Sequence, residues 1–492
     1  MKTSKSSFLR RNSPFNWLGW LAIALFLVVS LRAPAIASSP QHYTNLVFPT
    51  LKDIQVPQYE RYQLENGLTV FLMPDRELPL VSGTAMVRAG SRWEPAEKVG
   101  LAELTGTVMR SGGTLEHPAD ELNQMLEQKA AIVEASIGDN FGSVSFNTLS
   151  EDLSTTFKLF AEVIQEPAFV QDKLDLAKKQ TEGAIARRND DPDDIASREF
   201  QKLLYGSASP YARTVEYKTL NNISRADVVQ FYQTYFRPET TILGIVGDFE
   251  PSAMKALVQE AFGSWKSSSP KPTLTPPSAT QETTSGLFLA DRPQLNQSYI
   301  QMGHIGGLLN NPDYPALSVL NGVLNGFGGR LFNEVRSRQG LAYVAYGYWS
   351  AQFDYPGSFI LGGQTRSEGT VPFIKAMYSE IDRIRTTPIS AEELNYAKES
   401  ILNSFVFNFD DPSKFLARLM RYEYYGYPAD FIFKYQRAVK AVTVEDVQRV
   451  AGKYLQPGQI LTLVVGNQAE IQSALKGLNS NVQTVDVTIP QP

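Results

Sequence analysis

The chain contains no cysteine, and only three of its 492 residues are histidine. Without cysteine there is no disulfide, no thiolate nucleophile and no thiolate-bound metal. The histidines are His42, His117 and His304, and no two of them have the i, i+4 spacing that places two imidazoles on one helix face. A local two-histidine metal site is therefore excluded. We expect His117 in a loop before a helix and His304 on an apolar strand, neither of them a metal ligand.

A large excess of charge is also missing. The formal net charge is only -5, and charged residues make up 20% of the chain. This balance argues against a nucleic-acid partner and against wholesale disorder. Hydrophobic residues amount to 43%, which is enough for two cores in a chain of this length.

No acidic residue precedes Asp53, whereas the first residues include several lysines and arginines. An apolar run follows over residues 17–31, and a small-residue stretch then offers A-x-A cleavage after Ala37. The run is shorter than the roughly 20 residues that span a bilayer. We therefore expect residues 1–37 to be a signal peptide and the chain to be exported to a periplasm or an equivalent lumen. It would be tethered to the membrane only if this segment stays uncleaved.

The chain carries one unit twice. Short motifs in the first half return in the second with an offset of 220 and then 219 residues, as if one loop residue had been lost. A period this long indicates a duplicated domain rather than a solenoid or a propeller. The matched segments are Asp190-Asp191-Pro192 with Asp410-Asp411-Pro412, Tyr205-Gly206 with Tyr425-Gly426, and Val246-Gly247 with Val465-Gly466.

Two homologous domains follow from the duplication, and their boundary is marked by composition. Residues 266–285 are rich in serine, proline and threonine, which is typical of an extended linker. The sequence thus predicts an N-terminal domain over 38–265 and a C-terminal domain over 286–492.

Each repeat has an α+β order in which strands and helices come in blocks. Residues 68–73 and 80–88 are strand-like, and residues 119–135 are predicted to form one continuous helix. Ser224 is expected to cap a helix that runs to Tyr235. We expect each repeat to form a mixed or antiparallel sheet covered by helices on one face.

Residues 99–114, VGLAELTGTVMRSGGT, decide between an active and an inactive metal site. With the duplication and the linker, they resemble the pitrilysin/insulinase metallopeptidase family, which includes mitochondrial processing peptidase and its bacterial relatives. Active members carry H-x-x-E-H on this helix, two zinc-binding histidines and a general base. This chain has Glu103, Gly106 and Thr107 at those positions. The resemblance therefore implies a degenerate motif, no catalytic residue and no zinc in this chain.

The family's third zinc ligand is a glutamate on the helix before Asp-Asp-Pro. Counting back from Asp190 places its equivalent near Ala184, while Glu182 is close but out of register. The loss of this ligand follows less firmly than the loss of the histidines.

A second family motif is kept. Residues 330–343 match R-L-F-x-x-x-R-x-x-x-G-L-A-Y, and the resemblance implies that Arg336 and Tyr343 bind substrate backbone near the scissile bond. We expect Gly340 to end a helix in a left-handed cap, with Arg336 in its last turn and Tyr343 on the next strand. Without the resemblance, Arg336 would be an ordinary helix-end charge and Tyr343 a packed aromatic.

The erased zinc motif and the kept arginine and tyrosine predict a non-catalytic subunit of an exported heterodimeric zinc peptidase. Its partner would be a subunit with H-x-x-E-H that holds the zinc, and its substrate an unfolded peptide. One alternative is a scaffold or peptide-binding protein without a peptidase role. Another is a self-sufficient peptidase with an unconventional site, against which the lack of paired histidines argues.

Overall fold

A computed structural model describes residues 54, 56–267 and 270–491. The predicted signal peptide, residues 1–37, and His42 lie outside these residues. Within the described ranges, no helix has both the length and the apolar character needed to cross a bilayer.

The first half forms a six-stranded mixed sheet with the strand order β1-β2-β6-β3-β5-β4. Strands β2 and β6 pair in parallel, and the other neighbours are antiparallel. The strands are β1 (Glu60–Gln63), β2 (Thr69–Pro74), β3 (Leu80–Val87), β4 (Ile132–Ile137), β5 (Gly142–Leu149) and β6 (Thr241–Gly247). The helices are α1 (Leu101–Ser111), α2 (Ala119–Glu127), α3 (Leu153–Gln165), α4 (Gln171–Arg187), α5 (Pro192–Tyr205), α6 (Tyr217–Asn221), α7 (Arg225–Tyr235) and α8 (Pro251–Phe262).

The second half repeats this arrangement with the strand order β12-β7-β11-β8-β10-β9. Only the outermost strand differs, because β12 comes from the end of its repeat and pairs in parallel, whereas β1 comes from the start and is antiparallel. The strands are β7 (Gly286–Asp291), β8 (Gln297–Ile305), β9 (Ala342–Ser350), β10 (Ser358–Arg366), β11 (Leu461–Gly466) and β12 (Val482–Thr484). The helices are α9 (Tyr314–Leu324), α10 (Thr370–Thr386), α11 (Ala391–Ser404), α12 (Pro412–Tyr425), α13 (Phe431–Ala441), α14 (Val444–Tyr454) and α15 (Gln468–Leu478). The predicted α+β architecture of two homologous units is confirmed.

Each sheet buries one face under helices of its own half. Alternate residues of a strand point to opposite faces, so Val70 and Leu72 of β2 join the core formed with α1, α3 and α7. The second half has a matching core, to which Leu287 and Leu289 of β7 contribute. The remaining strand residues face the other way.

The opposite faces are covered by an exchange of helices between the halves. Helix α5 of the first repeat packs through Phe200 and Leu204 on β7 and β11 of the second sheet. Helix α12 of the second repeat packs through Leu416 and Leu419 on β2 and β6 of the first. These are the two helices that begin at the repeated Asp-Asp-Pro. The exchange explains why both repeats retain the same helix and joins the halves into one compact unit.

One element differs from the sequence prediction. Residues 119–135 do not form one helix, because α2 ends at Glu127 and residues 132–137 form the edge strand β4. Between them, Ala130 has a φ of 47°, which no helix accommodates. Pairing with β5 then overrides the helical pattern of the segment. By contrast, Ser224 caps α7 as predicted, and its hydroxyl accepts from Asp227 N–H.

Candidate functional site

Helix α1 carries the three positions at which active relatives of the resembled family hold two metal-binding histidines and a general base. Glu103 and Thr107 are exposed and lie one turn apart on the same face, where two ligands would point together. Gly106 is buried on another side of the helix. The carboxylate of Glu103 and the hydroxyl of Thr107 do not replace two imidazole ligands. Gly106 has no side chain that could act as the base. The residues present therefore do not fit a catalytic zinc ion.

Gly106 is more than a missing base, because the helix lies directly against the backbone of strand β4 at this point. A Cβ atom at position 106 would lie 2.6 Å from the nitrogen of Ile137 and 2.8 Å from the carbonyl carbon of Ser136. Even an alanine cannot be placed there unless α1 moves away from β4. The space that a glutamate would need is closed, so the loss of the motif is built into the packing of the helix.

The start of α1 is held by a buried carboxylate. Glu94 accepts hydrogen bonds from the backbone N–H groups of Gly100 at 3.1 Å and Ala102 at 2.9 Å. Burial raises the pKa of Glu94, while these two hydrogen bonds and the nearby Arg213 oppose the rise. A negative group at a helix N-terminus is favourable. Glu94 and Glu103 both line an adjacent cavity of about 450 Å³.

The expected position of the third zinc ligand also lacks a ligating side chain. Ala184 is exposed on α4, and Glu182 is half-buried on the same helix. Among the described residues, neither Glu182 nor Glu103 belongs to a group of three side chains close enough to share a metal ion.

The two described histidines have partners within the protein. His117 Nδ1 lies 2.7 Å from Glu162 Oε2, and with Glu116 they form the one trio of potential ligands in the described part of the chain. The hydrogen bond with Glu162 raises the pKa of His117, against a smaller effect of burial. His304 is buried, its Nδ1 lies 2.7 Å from the carbonyl oxygen of Ile305, and its Nε2 accepts from Gln456 N–H at 3.2 Å. Burial lowers the pKa of His304, which suits a neutral ring.

Arg336 and Tyr343 lie where the sequence predicts. Arg336 is near the end of a short helix, Phe332–Arg338, which has the wide π-type winding often found at functional sites. Gly340 then turns the chain with a φ of 64°, and Tyr343 is the second residue of strand β9. Glycine suits this left-handed position, and nothing lies within 4 Å of its missing Cβ.

Tyr343 is also the extra residue of a β-bulge. Opposite it, Gln364 pairs with Val344 while the next residue, Thr365, pairs with Ala342, so Tyr343 has no partner on β10. Bulges redirect a side chain and are frequent beside active sites. Tyr343 is 76% exposed as a result of this placement. The sequence motif gave no sign of the bulge.

The arginine and the tyrosine form a stack on the surface. The guanidinium carbon of Arg336 lies 4.6 Å from the ring centre of Tyr343 and 4.7 Å from that of Phe332. Phe327, 81% exposed, packs edge-on against Phe332 at 5.2 Å. These four residues line a cavity of about 210 Å³ and are called the aromatic stack below. Among the described residues, the guanidinium of Arg336 has no carboxylate partner.

The glycine-rich segment before the motif positions Phe327. Gly328 N–H donates to the hydroxyl of Tyr396 at 3.2 Å, and a Cβ on Gly328 would overlap the Tyr396 ring at 2.8 Å. Arg330, which begins the motif, is buried and donates to both carboxylate oxygens of Glu393. Sequence reasoning missed the part played by Phe327 and Phe332. The phenylalanine of the R-L-F motif was the available signal for Phe332.

With this geometry established, the comparisons with known proteins decide the family. Residues 78–212 match the model of the insulinase family, peptidase family M16, and residues 222–401 match that of the peptidase M16 inactive domain. The chain belongs to peptidase family M16. The first match lies within the first half, and the second begins near the end of that half and continues into the other.

Two bacterial proteins are among the sequence relatives of this M16 chain. The uncharacterized zinc protease YmxG of Bacillus subtilis is 24% identical over 363 residues, which cover 73% of this chain and 86% of YmxG. The uncharacterized zinc protease Rv2782c of Mycobacterium tuberculosis is 26% identical over 403 residues, which cover 80% of this chain and 89% of Rv2782c.

Solved structures show the same fold. The peptidase M16 inactive domain from Pseudomonas fluorescens matches with a TM-score of 0.75 and 24% identity, covering 83% of this chain and 98% of that one. A protease from Helicobacter pylori matches with a TM-score of 0.73 and 21% identity, covering 83% and 100%. The periplasmic protease PqqL from Escherichia coli matches with a TM-score of 0.70 and 16% identity. This match covers 90% of this chain but only 50% of PqqL. At these identities the likeness concerns the fold.

Proposed function

We propose that this chain is the non-catalytic, substrate-binding subunit of a heterodimeric zinc metalloendopeptidase that degrades or processes unfolded peptides. The contrast between two sites carries the proposal. At the first, Gly106 is packed against the backbone of β4 and leaves no room for a base. At the second, Arg336 and Tyr343 stand on the surface without a carboxylate partner among the described residues. A catalytic subunit with H-x-x-E-H would hold the zinc.

The aromatic stack suits substrate binding and charge stabilisation. A guanidinium can donate to peptide carbonyl oxygens through several N–H groups in one plane. The rings of Phe332 and Tyr343 both contact the guanidinium of Arg336, which limits the conformational freedom that binding would otherwise remove. The hydroxyl of Tyr343 can donate to the oxygen that becomes negative when water attacks a peptide carbonyl. Both residues would act in trans on a peptide held by the catalytic subunit.

The proposal includes export. The basic start, the apolar run over 17–31 and the A-x-A stretch ending at Ala37 support secretion to a periplasm or an equivalent lumen. Unfolded peptides in such a compartment are the proposed substrates.

The test is capture of the native complex. The tagged chain is isolated from its native envelope fraction, and zinc content and cleavage of a quenched fluorescent peptide are measured. We expect a copurified M16 subunit with H-x-x-E-H and stoichiometric zinc. Arg336→Ala should lower kcat/KM by about 10- to 100-fold, and Tyr343→Phe should mainly lower kcat, because each removes a donor that acts on the reacting carbonyl.

Arg338→Ala is the matched control. Arg338 is in the same short helix, is 72% exposed and pairs with Glu334, so its loss should leave cleavage unchanged. A chain that is recovered alone, without zinc and inert would contradict the subunit role and support the scaffold alternative. If the purified chain binds zinc and cleaves the peptide without a partner, the subunit role is contradicted and the chain is a self-sufficient peptidase.

A further inference from the structure

A second aromatic cavity lies in the C-terminal half, apart from the aromatic stack. Its volume is about 570 Å³, and residues of helices α9, α11, α12 and α13 line it. Seven of the lining residues are aromatic, among them Phe405, Tyr422 and Tyr435. Phe407, another of the seven, is 64% exposed, so a large apolar ring faces solvent beside the cavity. The volume of this cavity is in the range typical of small-ligand sites, and its walls combine aromatic surface with polar groups.

The charged groups of this cavity are all cationic. Lys414, Arg418 and Arg421 line it, and none of its described lining residues is acidic. Lys414 is paired with Asp410 at 3.1 Å. Arg418 donates to the amide oxygen of Asn408 at 2.5 Å and faces the hydroxyl of Tyr422, both of them uncharged.

The two arginines therefore carry positive charge without a carboxylate among the described residues. Nε of Arg418 is buried and lacks a hydrogen-bond partner in the described part of the chain. The guanidinium carbon of Arg421 lies 6.0 Å from the centre of the Phe141 ring. Positive charge beside apolar walls attracts an anion more strongly than it would in open water.

The duplication provides an internal comparison for this arginine. Arg418 corresponds to Arg198 in the first repeat, with the same offset of 220 that relates the two Asp-Asp-Pro segments. Arg198 has a carboxylate partner, Glu199, at 2.8 Å. Leu419 takes the place of Glu199 in the second repeat. The arginine is common to both repeats, its carboxylate neighbour is present only in the first, and in the second a cavity lies beside the arginine.

We propose that this cavity binds a carboxylate carried on an aromatic or aliphatic body. The aromatic walls would hold the apolar body, and Arg418 with Arg421 would bind the carboxylate. The ligand's carboxylate would thus take the place that Glu199 has beside Arg198 in the first repeat. The C-terminal residue of a peptide and a free small acid both offer this chemistry. The site lies outside the aromatic stack, and its binding can be measured on this chain alone, so it stands or falls independently of the proposed peptidase role.

Isothermal titration of the purified chain tests the proposal with three probes. These are 3-phenylpropionate, acetyl-Ala-Ala-Phe as the free acid, and the same tripeptide as the C-terminal amide. We expect at least one acid to bind and the amide to bind at least tenfold more weakly. Arg418→Gln should weaken binding of the acid about 10- to 100-fold, because a charge-assisted hydrogen bond contributes about 1.5–3 kcal/mol. A stronger response to the tripeptide acid identifies a peptide C-terminus, and a stronger response to phenylpropionate a free acid.

Two further variants separate binding from folding and net charge. Arg437→Gln makes the same chemical change on α13 at an exposed position outside the cavity, and affinity should not change. Phe407→Glu adds a negative charge at an exposed ring and should weaken the acid without affecting the fold. No binding of either acid at millimolar concentration would overturn the proposal. Equal affinity for acid and amide, or equal losses in Arg437→Gln and Arg418→Gln, would also overturn it.

Discussion

At the scale of single residues, Gly106 is a greater obstacle to restoring H-x-x-E-H than the missing histidines are. Ligands can be restored by substitution on an exposed helix face, where Glu103 and Thr107 lie. A glycine in backbone contact with β4 cannot be replaced without moving a helix. The degenerate motif is therefore fixed by the packing of α1 as well as by the identity of its residues.

Gly106→Ala should destabilise the protein by about 1–3 kcal/mol, because the added Cβ overlaps the backbone of Ser136 and Ile137. Thr107→Ala, exposed on the same helix, is the control and should stay within about 0.5 kcal/mol of the parent. Urea unfolding followed by circular dichroism gives both values. Equal stability of the two variants would show that α1 has room to shift.

His117 should make stability depend on pH. Its hydrogen bond with Glu162 raises its folded-state pKa above the ordinary 6.5. The protonated pair therefore stabilises the fold fully below pH 6.5, and this contribution is lost as the pH rises through the folded pKa. His117→Gln should lower the melting temperature at pH 6 and have little effect at pH 9. The free energy of unfolding lost at pH 6 should be about 1 kcal/mol or less. A loss that is the same at both pH values would contradict this ionic role.

At the scale of elements, two local irregularities place the aromatic stack. The π-type winding of Phe332–Arg338 sets the direction of Arg336, and the bulge at Tyr343 turns its ring outward. Gly340 connects them with a backbone conformation that side chains disfavour. The stack thus depends on the backbone between the two residues as well as on their identity.

Substitution of Gly340 tests that dependence. Gly340→Val should cost about 1–2 kcal/mol, since no atom lies near its Cβ and the effect is one of conformation alone. Gly340→Asn should recover most of the loss, because asparagine tolerates the left-handed region. In the proposed complex with a catalytic subunit, peptide cleavage should fall with Val and largely return with Asn. Cleavage unaffected by Val would mean that the stack is set by other contacts.

At the scale of the whole molecule, the exchanged helices make the two halves depend on each other. Removing α12 from the first sheet would expose Phe71, Met73 and Ile242, which are buried against it. The halves are also joined by an ion pair of Arg92 with Asp354 at 2.9 Å, in which the arginine is almost fully buried. Duplicated units that share cores in this way are expected to unfold together.

Calorimetry of residues 38–492 should therefore show one cooperative transition rather than two. Leu419 lies on α12, the helix of the second half that packs on the first sheet. Leu419→Ala should lower the free energy of unfolding of the entire unit by about 2–5 kcal/mol. Lys414→Ala, exposed on the same helix, is the control. Two separate transitions, with Leu419→Ala shifting only one of them, would contradict this coupling.

The sequence by itself determined the duplicated α+β plan, the degenerate α1 motif and the helix–glycine–strand setting of Arg336 and Tyr343. Each of these depends on local pattern and motif spacing, which a chain carries whatever its partners. Tertiary structure alone decided the edge strand β4 over residues 132–137, the helix exchange, the bulge at Tyr343 and the closed space at Gly106. These depend on contacts between separate elements, some neighbouring in the chain, as β4 with β5 and β9 with β10, and some distant, as the exchanged helices. In such contacts, burial and hydrogen bonding override local preference.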